Sequence, residues 1–257
     1  MIRELYHRDR VLFFTGSFML LLLVVSTLLS ISDTRQILGL NPWIKPMKFM
    51  VSITIFLWTV AWFMPETEPR PRSRAFVRWT IATAMTVEIV MIVMQSLRGV
   101  PSHFNHESAF DDAVFSIMGM GVVFNTAAMV LFLWIIRRDT PVHRAGYIWG
   151  IRFGVALFLL ASLQGVVIVV NDAHTVGAAD GGPGLPFVNW STRYGDLRVA
   201  HFFGMHAMQA LPLLGFMLDK TRTAAARNVV MAVSILWLAL TAGLLYIALQ
   251  GRPLLNI

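Results

Sequence analysis

Seven stretches of this chain run for about twenty residues almost without charge, and short polar segments rich in Arg or Gly separate them. Runs of ~20 apolar residues wound as helices match the ~30 Å hydrocarbon core of a bilayer. The pattern predicts spans at about 11–31, 47–64, 76–97, 112–136, 149–171, 199–218 and 229–250. Each should be an α-helix, because backbone N–H and C=O groups in lipid must be satisfied within their own segment. The expected fold class is therefore all-α: a polytopic integral membrane bundle of seven helices, forming one domain over residues 1–257. Arg3, Arg8 and Arg10 precede the first run as they would in a secretory signal. That run is too long for a signal core of ~7–15 residues, and no small-x-small site closes it, so it reads as a retained span.

Composition agrees. Of 257 residues, 56% are hydrophobic and only 14% charged, against ~25% charged in soluble domains. The net charge of +7 would suggest nucleic acid in a soluble protein; here the loops account for it. One side of the predicted bundle carries Arg3, Arg8, Arg10, Arg70, Arg72, Arg74, Arg78, Arg137, Arg138, Arg144, Arg152, Lys220, Arg222 and Arg227. The other carries Arg35, Lys45, Lys48, Arg98, Arg193, Arg198 and Arg252. Fourteen against seven places the N-terminus in the cytoplasm and the C-terminus outside, since cytoplasmic loops collect Lys and Arg. The expected location is a bacterial inner membrane, with the lipid bilayer as the main partner. The absence of cysteine excludes disulfides, thiolate metal sites, iron–sulfur clusters and c-type haem attachment.

The side poor in Lys and Arg holds five of the seven histidines: His103, His106, His174, His201 and His206. It also holds the two elaborate loops, 98–111 and 172–198. Glu88 is the only acid deep in a span and a candidate catalytic group, because charge in hydrocarbon is costly and marks function by default. It lies nine residues before the outer end of its helix, ~14 Å deep at 1.5 Å per residue. Gln95, on nearly the same face, and Arg98 extend it as a polar stripe to the surface. Asn125 and Gln164, each in a different span, are natural helix-to-helix hydrogen bonders.

His103, His201 and His206 are the candidate ligands for a metal or cofactor, with His106 and Glu107 close to the first. His201 and His206 stand at i,i+5, ~140° apart around a helix, so they cannot grip one ion as an i,i+4 pair does, and HExxH chemistry is excluded. Gln209 shares the His206 face. Lys48, in the segment NPWIKPMKF (41–49), must snorkel outward or meet an anion. Asp196 precedes the sixth span as a helix cap or a catalytic base, and Arg193 and Arg198 flank it as a clamp for carboxylate or phosphate. Lys45, Lys48 and Lys220 are the only lysines, so no retinal Schiff base forms in the seventh span.

These residues are expected to converge on a polar pocket at the outer face, floored by Glu88. Three functions fit it. Haem or a transition metal (Zn, Cu or Fe) held by imidazoles would do redox or hydrolytic chemistry. A small proton-coupled transporter would titrate Glu88 and His206 in turn. A membrane-embedded enzyme or binding module would take a lipid or another small molecule.

Overall fold

The computed structural model describes residues 1–137 and 141–256. Over these residues the chain is all-α, with helices α1 (Ile2–Arg8), α2 (Arg10–Ser32), α3 (Ile44–Phe63), α4 (Pro71–Arg98), α5 (Ala109–Ile135), α6 (Ala145–Val170), α7 (Leu197–Lys220) and α8 (Ala226–Leu249). Six of them, α2 to α6 and α8, are long and apolar enough to cross a membrane. The expected sixth span is α7. Its 24 residues suffice in length, but Arg198, His201, His206, Gln209, Asp219 and Lys220 dilute its apolar character. Arg138, counted above among the basic residues, lies outside the described residues.

The helices start and stop where local chemistry dictates. Pro71 opens α4 five residues ahead of the apolar run, because a proline at the first helical position lacks only an N–H that has no helical partner anyway. Gly99 ends the same helix in the left-handed region (φ +77°), and the N–H groups of Gly99 and Val100 close back on the carbonyls of Ser96 and Gln95. Asp9 ends α1 and caps α2 by accepting from the Leu12 N–H at 3.1 Å.

The chain divides into two compact units, Met1–Ile136 and Arg137–Ile257. In the first, α3 packs on α2 and α4, and α5 packs on α4. The buried residues of α5 are Asp111, Val114, Met118, Asn125, Ala128, Met129, Phe132 and Ile135. Their spacing of three and four is the stripe by which one helix lies along another. Asp9 is buried and holds Arg78 of α4 at 2.6 Å, which ties α1, α2 and α4 together at one end.

In the second unit α6, α7 and α8 pack together. Gly146, Gly150 and Gly154 of α6 face α7 so closely that a Cβ at each would meet backbone: Gly215 O at 2.7 Å, Leu211 O at 2.5 Å and Ala207 O at 2.9 Å. The pairs 146–215, 150–211 and 154–207 run in strict antiparallel register. This is helix association through small residues four apart, where absent side chains let backbones touch. Asp219, in the last turn of α7, accepts from the N–H groups of Gly146 and Tyr147 at 2.9 and 2.7 Å, capping the start of α6.

The loop between α6 and α7 is folded. Strands β1 (Thr175–Val176) and β2 (Gly195–Asp196) pair antiparallel, and a bridge joins Gly184 to Ser191. Asp180 accepts from the His174 and Thr175 N–H groups and, at 2.5 Å, from His174 Nδ1. Gly195 sits directly on the end of α8, where a Cβ would lie 1.9 Å from the Ala248 carbonyl oxygen.

Gly150→Leu is expected to push α6 off α7. Forcing bulk against backbone should cost at least about 3 kcal/mol, the upper part of the over-packing range. Thermal unfolding in lipid nanodiscs checks this; an unchanged midpoint would contradict the close register.

Candidate functional site

In the first unit the predicted residues gather where α3 and α5 begin and α4 ends. Gln95 and Arg98 both reach Asp111, the third residue of α5. Gln95 Nε2 donates to Asp111 Oδ1 at 2.7 Å, and Arg98 makes an ion pair with the same oxygen while donating to Gln95 Oε1 at 2.5 Å. Ser108 takes the Asp111 N–H at 3.2 Å and donates its hydroxyl to Asp111 Oδ2 at 2.5 Å. Asp111, 3% exposed, is thus saturated with donors and locks both ends of the 99–108 segment. Sequence reasoning missed it, although the S-x-x-D pattern at 108–111 is the signature of a helix N-terminus.

Held at both ends, the segment folds back toward the bundle. Ser102 and Asn105 are buried, and Phe104 occupies the left-handed region at φ +53°, a strained conformation for an aromatic residue. His103 Nε2 thereby stands 3.6 Å from Glu88 Oε1. Its Nδ1 lies 3.1 Å from Ser102 Oγ. Phe49, Phe104 and Phe115 surround the imidazole, with ring centroids 5.8, 6.2 and 5.9 Å away. Glu88 is 5% exposed, and its second oxygen, Oε2, is buried without a hydrogen-bond partner. Lys45, in the first turn of α3, is close enough to act electrostatically on the Glu88 carboxyl. Lys48 is half-buried one turn further along the same helix.

The remaining predicted groups of this unit play other parts. His106 Nδ1 donates to Asp112 Oδ1 at 2.6 Å in a half-exposed pair. Glu107 is exposed and gives its backbone N–H to Asn105 Oδ1 at 3.2 Å. Asn125 is buried, its Oδ1 unpartnered. Across the same end, Asp33 pairs with Arg35 at 2.7 Å and accepts from Trp43 Nε1 at 3.0 Å. Hydrogen bonding from the Arg35 guanidinium holds the Asp33 carboxyl well below the usual carboxylate range.

In the second unit, Asp196 serves as a cap. Its Oδ1 takes the Arg198 N–H and Nε at 3.0 and 2.9 Å; its Oδ2 takes the Ser191 N–H at 2.8 Å and Arg198 Nη2 at 2.6 Å. Every lone pair suited to a base is thus engaged, and Arg198 is turned onto Asp196. Arg193 is exposed. His201 Nδ1 donates to the Ala161 carbonyl at 2.8 Å, and Gln164 Nε2 to the Leu197 carbonyl at 3.2 Å, so both fasten α6 to α7. His206 Nδ1 donates to the Phe202 carbonyl at 2.8 Å and its ring lies 4.0 Å from that of Phe202. Gln209 follows it on the half-buried side of α7.

Among the described residues no three His, Asp or Glu side chains stand together as a metal would require. Both ring nitrogens of His103 already face protein groups, and His201 and His206 point ~140° apart around α7. His103 belongs to the first unit, and His201 and His206 to the second. The residue brought to Glu88 is His103.

Asp111→Asn removes the charge on which Gln95, Arg98 and Ser108 converge. It should cost roughly 2 kcal/mol, the worth of a charge-assisted hydrogen bond, and loosen residues 99–108; denaturation and amide exchange of the reconstituted protein check both. A second prediction concerns Asp180. Burial pushes its carboxyl up, but hydrogen bonds from the His174 side chain and backbone and from Thr175 outweigh this and hold it well below the usual range. A depressed folded value means its stabilisation is fully present above the unfolded carboxylate value, ~3.9. That stabilisation disappears as pH falls from there through the folded value. The stability difference between the native protein and Asp180→Asn should therefore hold steady down to about pH 4 and shrink below it, as denaturation across pH would show. Compared with family models, curated proteins and solved structures, the chain matches none.

Proposed function

We propose that this chain is a seven-span membrane protein that carries a proton between the Glu88–His103 couple and one membrane face, coupling it to the passage of a small solute. The N-terminus lies in the cytoplasm, as the two-to-one bias of basic residues favours. In this reading α7 is the seventh span. It runs along α6 from 146–215 to 154–207 and is followed by the apolar α8, so a helix between two spans crosses with them. Its polar residues sit where the Ala161 and Phe202 carbonyls and the loop receive them.

The observation that carries the reading is the fold-back of residues 99–108, which delivers an imidazole to the only acid deep in a span. At 3.6 Å the contact is within reach of an ion pair and just too long for a hydrogen bond. A shift of about 1 Å in ring or carboxyl would close it to hydrogen-bonding distance. His103 is partly exposed while Glu88 is not. The imidazole therefore exchanges with water at the mouth and the carboxyl with the imidazole. Histidine suits this role because its unperturbed pKa of ~6.5 makes both forms accessible near neutrality. Arg98 and Asp111 position the segment, and the three phenylalanines keep bulk water from the imidazole flank. With Oε2 buried and without a hydrogen-bond partner, the carboxyl answers to His103, to the nearby Lys45 charge and to whatever donor arrives from the solute or the solvent.

Infrared difference spectra across a pH jump, on protein in liposomes, test this. A carboxylic-acid carbonyl band should appear as pH falls and be absent in Glu88→Gln. In His103→Ala the band should form more slowly, on the order of 100-fold, the worth of a positioned proton-transfer group. If no band is lost in Glu88→Gln, the proposal is wrong.

A further inference from the structure

The described residues contain three buried side-chain oxygens without a hydrogen-bond partner, and two of them, Glu88 Oε2 and Asn125 Oδ1, belong to the helices α4 and α5 that pack on one another. Asn125 lies on the buried stripe of α5, two turns beyond Met118. Glu88 lies on the buried stripe of α4, one turn past Ala84. The two helices cross where Gly121 faces Ala84: a Cβ at Gly121 would meet nothing nearer than the Ala84 carbonyl oxygen, at 3.8 Å. Glu88 is one turn from that crossing on one side, and Asn125 one turn from it on the other. Their Cα atoms are therefore separated by ~12 Å along the seam, eight residues at 1.5 Å each.

An orphaned carbonyl or carboxyl oxygen in a low-dielectric interior is costly unless a donor reaches it. Two such oxygens in one seam are two unmet demands for the same kind of group. Between them stand Ala84 and Gly121, among the smallest side chains available. The space at Gly121 admits a methyl group in ordinary contact, which is about the room one water needs. Buried water typically makes two to four hydrogen bonds to protein groups of this kind. Here the Ala84 carbonyl supplies a third acceptor beside the two side-chain oxygens.

We propose that the α4–α5 seam binds a short file of water between Glu88 and Asn125, and that Asn125 anchors its far end. The ligand class is water, with a hydrated proton as its mobile form. Glu88 Oε2 accepts from the near end of the file while Oε1 faces His103. The carboxyl then has two approaches: the imidazole from the mouth of the first unit, and the file from deeper in the bundle. No covalent bond forms or breaks except O–H; a proton entering at one oxygen leaves at the other. The use of the file for proton passage rests on the function proposed above; its existence does not.

Water-edited solid-state NMR on the full chain in liposomes tests the site directly. Magnetisation from water should reach Glu88 Cδ and Asn125 Cγ in the native protein. Gly121→Leu, which fills the crossing, should abolish transfer to Asn125 while the Glu88–His103 contact persists. Should that variant misfold, Asn125→Leu should weaken transfer to Glu88. No transfer to Asn125 in the native protein would overturn the proposal, whatever the infrared result. Wet side chains with a silent infrared band would sink the proton reading and leave the water site standing.

Discussion

The ion pair between Arg98 and Asp111 fixes the geometry that brings His103 to Glu88. Arg98 is the last residue of α4, and Asp111 is the third of α5. Without their bond, the ten-residue connection would be an ordinary exposed loop with three histidine or glutamate side chains in water. With it, the two helix ends are held at one distance, and the chain between them has to fold inward. The cost of that folding shows at Phe104, whose backbone sits in a region that β-carbon-bearing residues avoid. Ring contacts with His103 and Phe115 offset it. Strain at one residue thus places an imidazole beside a carboxyl that no solvent-exposed loop could reach.

The second unit is built on a different balance. Its helices lie so close that backbone meets backbone, and dispersion over the whole α6–α7 contact replaces the hydrophobic drive that lipid does not supply. Close approach leaves few places for polar groups, and four of them tie the elements together: His201 and Gln164 bond carbonyls of the facing helix, Asp219 the first N–H groups of α6, and Asp196 the first turn of α7. Groups that could serve a ligand in another setting are consumed in holding the helices together.

The architecture was legible because its cause is one-dimensional. A run of apolar residues between charged turns reports helix position to within one or two turns, and six helices long enough for a bilayer lie where the runs predict them. Glu88 stood out for the same reason, as one acid in an apolar run. The partner of Glu88 was not. His103 and His206 look alike as letters, and only the ties at residues 98 and 108–111 separate them. The G-x-x-x-G-x-x-x-G spacing at 146, 150 and 154 was passed over in the sequence, although such spacing is a signal of helix contact. For Asp196 the sequence left cap and base both open, and for His201 it offered a ligand where the side chain is a fastener, because such roles share a residue type and differ only in what surrounds the side chain.

The seating of Gly195 on the last turn of α8 has a practical side. It clamps the returning strand of the 171–196 excursion to the chain's own C-terminal helix, while Gly182, in the outward arc, has open space where a Cβ would stand. Foreign sequence, such as an epitope or a rigid fiducial for electron microscopy, belongs in that arc beside Gly182. Placed at the clamp, even one added methyl group would pry the strand from the helix.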